Sequence, residues 1–282
     1  MEAVRQAVRG DRRLTVRMIA EQVGIDRQTV WEIITEELRM RKICAKMVPK
    51  LLSDDQKARR MQVCEDTLQN IENDPELLTK VITGDETWVF EYDPETKRQS
   101  KQWLSPNSPR PKKARQSRSQ IKVMLIAFFD ARGIVHAEFI PQGQTINQHV
   151  YQSVLKNLLA AIRRKRRELF DSNTWLLHHD NAPAHSALSV RRFLAEKHVS
   201  VLDQPPYSPD LAPCDFFLFP RLKGIVKGIR FVDVEAIKEA VTRELKAIPE
   251  QAFQECMVAW QRRMERCVEQ QGDYFEGCER GL

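Results

Sequence analysis

The chain predicts an α/β fold, a mixed sheet with flanking helices, preceded by a small all-α helix-turn-helix domain. Two observations carry this expectation. Residues 1–45 hold only short amphipathic helical patterns, two of them separated by a glycine. From residue 80 onward, short apolar β-rich runs come first as a hairpin and then alternate with helical stripes, the order of a mixed sheet. Domains are therefore expected at 1–45 (helix-turn-helix), 46–78 (linker and helix) and 79–282 (catalytic). A length of 282 residues suits one large domain plus a small one, at a rough prior of about 150 residues per domain.

Composition narrows the class. An apolar fraction of 42% supports a core, and 30% charged residues make for a water-facing surface. The net charge of +6 favours a polyanionic partner. From Lys97 to Lys122 there are nine Lys or Arg and no acid. This run reads either as a solvated loop or as a phosphate contact. The six cysteines form no C-x-x-C pair, which argues against a disulfide framework or a structural zinc site and for a reducing intracellular compartment. Cys256, Cys267 and Cys278 recur every 11 residues, as thiols along one helix face do. No apolar run reaches the ~20 residues of a membrane span, so no membrane partner is expected.

Within residues 1–45, Thr15 is placed to cap a helix burying Met18, Ile19 and Val23. Gly24 supplies a turn, and Asp26 caps a second helix burying Val30, Ile33 and Ile34. Small residues at Ala20 and Gly24 allow the steep crossing of a helix-turn-helix. The second helix then offers Arg27, Gln28, Thr29 and Trp31 for contact with DNA. Further along, Ser53 caps a helix running toward Ile71, closed by Asn73-Asp74-Pro75.

Lys80 to Glu91 and Lys122 to Phe129 read as strands, and Asp130-Ala131-Arg132-Gly133 turns the second into Ile134 to Ile140. Thr145 is expected to cap a long helix with Val150, Val154, Leu155, Leu158 and Ile162 on one stripe. Arg163 to Arg167 read as its solvated cationic end. Thr174 to His178 and Val199 to Leu202 are short strands, with a helix from Pro183 between them. Pro205, Pro206, Pro209 and Pro213 stiffen the loop leading to Asp215, and two helices follow Val234.

Three aspartates mark the ends or middles of these core elements: Asp85, Asp180 and Asp215. Strands lie only about 4.8 Å apart, so carboxylates far apart in sequence can converge. Hard divalent cations take such oxygen ligands, and two of them about 4 Å apart serve phosphodiester cleavage. Rival readings exist. An Asp is often a cap or a surface charge, and Asp210 sits only five residues before Asp215. His178, His179 and His185 raise a zinc site, but adjacent residues on a strand point to opposite faces. His185 reads as a support for Asp180 or as a packing residue. A serine nucleophile lacks a G-x-S-x-G elbow.

The blocks Thr83-Gly84-Asp85-Glu86-Thr87-Trp88, His178-His179-Asp180-Asn181-Ala182-Pro183-Ala184-His185 and Tyr207-Ser208-Pro209-Asp210-Leu211-Ala212-Pro213-Cys214-Asp215 resemble the signatures of mariner-type DNA transposases of the Tc/mariner superfamily. The 34 residues between Asp180 and Asp215 match that family's interval too. The resemblance covers essentially the whole chain. It implies a ribonuclease H-like catalytic domain holding two Mg²⁺ or Mn²⁺ ions at Asp85, Asp180 and Asp215, with no other cofactor and no small-molecule substrate. It also implies a nuclear homodimer that binds terminal inverted repeats and moves an element by cut-and-paste into TA sites in double-stranded DNA. The basic stretch with Lys112, Lys113, Arg115 and Arg118 falls where the family contacts DNA or the partner subunit.

Two features depart from the family. Its members carry two helix-turn-helix units, and only what resembles the second is here, so the chain reads as N-terminally shortened. Its Trp-Val-Pro-His-Glu-Leu linker stands here as Met47-Val48-Pro49-Lys50-Leu51-Leu52. The alternatives are a catalytically impaired or host-adopted transposase acting as a DNA-binding protein, and a structure-specific repair nuclease sharing the same site.

Overall fold

The structure is a computed structural model that describes residues 1–276. The chain divides into two compact units, Met1–Met47 and Val48–Leu282.

The first unit contains α1 (Glu2–Gly10), α2 (Val16–Val23) and α3 (Arg27–Glu32), the last running into a π-helical turn, Ile33–Glu37. Thr15 Oγ1 accepts the Met18 N–H at 3.2 Å and starts α2. Gly24 ends it at φ +71°, where a side chain would meet its own backbone. Asp26 Oδ2 accepts the N–H groups of Gln28 and Thr29 at 2.7 and 3.3 Å and starts α3. Val4, Ala7, Ile19 and Val30 form the core. Met18, expected inside, is 49% exposed. It lies about 100° around the helix from Ile19, and so small a core admits only one of the two.

In the second unit, a capping box between Ser53 and Gln56 starts α4 (Asp54–Asn73). The sequence reading placed this helix in a separate linker segment. Its stripe of Cys64 and Ile71 instead joins the apolar cluster built on the sheet, and α5 (Leu77–Lys80) leads straight into the first strand.

The strands are β1 (Val81–Phe90), β2 (Lys122–Asp130), β3 (Gly133–Ile140), β4 (Leu176–His178) and β5 (Ser200–Leu202), in the order β3-β2-β1-β4-β5. β1, β2 and β3 pair antiparallel, whereas β4 is parallel to β1 and β5 to β4. This is the expected mixed sheet of ribonuclease H type.

One face of the sheet packs on α4 and on α10 (Phe219–Val226), α11 (Val234–Ala247) and α12 (Glu250–Glu269). The other packs on α6 (Gln148–Lys165) and α9 (Leu188–Glu196). Cys256 and Cys267 are buried on α12 as free thiols; Cys278 lies outside the described residues.

Two expectations about α6 need correction. Its cap is Asn147, not Thr145: Asn147 Oδ1 accepts the N–H groups of His149 and Val150, both at 3.0 Å. The orphan N–H groups of the first turn lie within reach of Asn147, while Thr145 is two residues too early. The cationic run is also not simply a solvated helix end. The helix breaks at Arg166, whose guanidinium grips buried Asp130 through Nε and Nη2 at 2.6 and 2.9 Å, before α7 (Arg167–Ser172) resumes.

Candidate active site

β1 supplies Asp85 from its middle rather than its end. Successive side chains on a strand alternate faces. Val81 and Val89 lie in the cluster under α10 to α12, and Ile82 in the cluster under α6, so Asp85 shares the first face and Glu86 the second. Gly84 is required here: a Cβ would stand 2.0 Å from the Phe128 ring on the paired strand. Asp180 follows the end of β4, which lies parallel beside β1. Asp215 sits in a π-helical turn, Cys214–Leu218, entered through Pro213.

The three carboxylates feel one another. Burial is the largest influence on Asp85, and the charges of Asp215, Glu86 and Asp180 add to it, pushing its carboxyl up to about 8. Burial pushes Asp215 up to about 6, with Lys223 opposing and Asp180 adding. Asp180 goes the other way. Burial would raise it, but a 2.6 Å hydrogen bond from His185 Nδ1 and the charge of that ring hold it below the ordinary carboxylate range. Its Oδ1 also accepts the Ala182 N–H at 3.0 Å.

The histidines around Asp180 divide the work. His178 donates to Gln204 Oε1 at 2.8 Å and accepts from Thr83 Oγ1 at 2.9 Å, tying the ends of β4 and β5 to β1. Complete burial pushes its ring down to about 4, so it stands neutral. His179 meets the Tyr151 hydroxyl at 2.7 Å and is pushed down to about 3, first by burial and then by the charge of His185. His185 is the exception. Burial opposes its charge, but hydrogen bonds to Asp180 and to Glu86 (Nε2 to Oε1, 3.1 Å), with the charges of both, push it up to about 10. α8 (Pro183–Ser186) carries this ring, with Pro183 at its first position, where a missing N–H costs nothing.

The loop ahead of Asp215 is anchored by a pair that the sequence reading did not find. Arg60 on α4, fully buried, grips Asp210 through Nη1 and Nη2 at 2.9 and 2.7 Å. Arg60 also donates to Ser208 Oγ at 2.6 Å and to the Gly272 carbonyl at 2.8 Å. Arg263 Nη1 donates to the Asp210 carbonyl at 3.0 Å, and the Tyr274 hydroxyl donates to the Tyr207 carbonyl at 2.6 Å. A signal existed: Arg60 shares a helical stripe with Val63, Cys64, Thr67 and Ile71. A cation on an apolar stripe points to a buried acid elsewhere.

The candidate DNA-contact residues fall in two places. Arg27, Gln28, Thr29 and Trp31 are all exposed on α3, with Gln28 Nε2 hydrogen-bonded to Glu32 at 3.0 Å. Within the basic stretch, Lys112 and Arg115 are exposed. Arg118 pairs with Asp93 at 2.9 Å and Lys113 with Glu95, so two of the four cations are tied to acids just past β1.

Residues 93–171 match the family described as Transposase (partial DDE domain). The chain is 32% identical over 263 residues to the mariner Mos1 transposase of Drosophila mauritiana, covering 93% of this chain and 75% of that one. It belongs to the mariner transposase family. A second relative, the human histone-lysine N-methyltransferase SETMAR, is 29% identical over 98% of this chain, which spans 40% of that protein. Among solved structures, a pre-cleavage Mos1 transpososome superposes with a TM-score of 0.79 at 31% identity, covering 97% of this chain and 79% of that one. The Mos1 strand transfer complex gives 0.77 at 32% identity, with 97% and 78% covered. In this mariner transposase the segment matched to the DDE family lies between Asp85 and Asp180 and contains none of the three aspartates. Their assignment therefore rests on their motifs and on their mutual electrostatics.

Proposed function

We propose that this mariner transposase binds the terminal inverted repeats of an element through α3. On this reading it cuts DNA at Asp85, Asp180 and Asp215 and joins the freed 3′ ends to TA sites, acting as a homodimer in the nucleus. The observation that carries the reading is the carboxylate cluster itself. Acids from β1, the end of β4 and the turn after Pro213 stand within electrostatic reach: burial first, then the charges of Asp215, Glu86 and Asp180, push Asp85 to about 8, and burial with the charge of Asp180 pushes Asp215 to about 6. An all-oxygen, charge-dense donor set of this kind suits Mg²⁺ or Mn²⁺. Among the described residues no three such side chains already stand as a formed metal site. Asp180 Oδ1 is engaged by His185 and by Ala182.

Bound divalent cations supply the charge that activates a water or a 3′-hydroxyl and stabilises the departing oxygen. The protein's own part is to hold the ligands. β1 fixes Asp85 within the sheet, the Thr83–His178–Gln204 bonds fix the strand end before Asp180, and the Arg60–Asp210 pair fixes the loop before Asp215. Lys112, Lys113, Arg115 and Arg118 then serve phosphates along the DNA, and Arg27, Gln28, Thr29 and Trp31 serve the repeat.

Cleavage of supercoiled plasmid with Mg²⁺ or Mn²⁺ tests this, beside Asp180→Asn and an EDTA control. Nicking that needs metal and disappears in the variant, while repeat binding persists, is the expected result. A folded parent chain that binds the repeat but never nicks would establish the DNA-binding alternative. Nicking that survives in Asp180→Asn would remove the assigned site.

A further inference from the structure

Glu86 follows Asp85 on β1 yet points to the opposite face, and the DNA-cleavage reading leaves it without a task. The structure gives it one partner of consequence. Glu86 Oε1 lies 3.1 Å from His185 Nε2, and the other ring nitrogen, Nδ1, lies 2.6 Å from Asp180 Oδ1. One imidazole thus stands between a carboxylate of β1 and the carboxylate that follows β4. The ring cannot turn freely. Its side chain is 1% exposed, Tyr151 stacks on it at 3.9 Å between centroids, and His179 stacks at 5.2 Å, itself held by the Tyr151 hydroxyl.

Asp180 is held at one oxygen only. Oδ1 takes the bonds from His185 and from Ala182 N, while Oδ2 accepts no hydrogen bond among the described residues. An acid tied at one oxygen and open at the other is a ligand with its direction chosen in advance.

We propose that His185 is a positioning residue that sets the orientation of Asp180 for the divalent cation, and that Glu86 holds His185 in place. Hydrogen-bond partners that orient a metal ligand typically carry about 10- to 100-fold of metal affinity. The inference rests on the triad reading of Asp85, Asp180 and Asp215, and the test separates the two.

The measurement is Mn²⁺ binding to the full chain without DNA, read from the electron paramagnetic resonance of free Mn²⁺, with metal-free thermal midpoints recorded alongside. His185→Ala is expected to weaken binding about 10- to 100-fold. His185→Asn, whose amide can reach the place of Nδ1, should recover most of that loss. Glu86→Ala should weaken binding about 10-fold, at the low end of the same range. Parental affinity in His185→Ala overturns the proposal, and so does a loss in His185→Asn as large as in His185→Ala, which would mark the ring as a packing residue. If His185→Ala does not fold, Glu86→Ala decides, and parental affinity there overturns the proposal. Asp85→Ala is the reference. Its loss of binding with none in His185→Ala removes this inference alone, whereas parental binding in Asp85→Ala removes the triad reading and this inference with it.

Discussion

Asp210 and Asp85 are carboxylates of the same unit, both drawn away from water, and the chain treats them in opposite ways. Asp210 receives a complete guanidinium partner from Arg60, with two short bonds and support from Ser208. Among the described residues the Asp85 carboxylate pairs with no cation. Its surroundings add the charges of Asp215, Glu86 and Asp180, and among those residues the carboxylate accepts one hydrogen bond, the 2.7 Å one from the Glu86 N–H. A carboxylate that only holds the fold together is neutralised from within. One left short of positive charge stores a demand that a metal ion can meet, and storing it costs stability.

The sharpest way to break this comparison is Asp85→Asn. It should bring plasmid nicking below detection while leaving the unfolding midpoint unchanged or higher, because it removes repulsion and no partner. A midpoint well below that of the parent would show Asp85 to be structural. Arg60→Ala is the mirror experiment. It leaves Asp210 buried and unpaired, and urea unfolding should show a loss of about 3–5 kcal/mol. A loss under about 1 kcal/mol would mean that the pair is dispensable.

pH sharpens the contrast further. The Asp85 carboxyl titrates near 3.8 when unfolded and near 8 in the metal-free fold. A raised folded value favours the folded chain at pH below 3.8, an advantage lost as pH rises through about 8. Metal-free protein should therefore be more stable at pH 6 than at pH 8 on this account, and Asp85→Asn should flatten that part of the profile. Equal slopes for parent and variant would refute the assignment.

The smallest effect on stability belongs to charges that water already satisfies. Lys112→Ala with Arg115→Ala should shift unfolding by no more than about 0.5 kcal/mol. If both contact phosphates, the salt dependence of DNA binding should flatten by about 0.9 per contact in log–log slope. An unchanged slope would reassign both to solvent.

Much of this was legible in the order of residues. Thr15, Gly24, Asp26 and Ser53 mark helix ends by local chemistry, and each does so in the structure. The strands of the hairpin were legible because β-rich runs flank a short polar turn. Asn147 was missed because Thr145 satisfies the same composition rule two residues earlier, and only the position of the first turn decides between them. Met18 was misplaced because a helix periodicity marks a stripe without saying how wide a core will receive it.

The three signature blocks determine the family, the mixed sheet and the candidate carboxylates, since each depends on residue type and spacing along the chain. Packing alone decided the rest. Asp210 became a buried ion pair, His185 came to stand between Glu86 and Asp180, and Arg166 turned inward to Asp130. These pairings join residues 36 to 150 positions apart, save the five-residue step from Asp180 to His185. A local pattern states what a side chain can do, but which charge stands beside it in low dielectric is set by the folded chain.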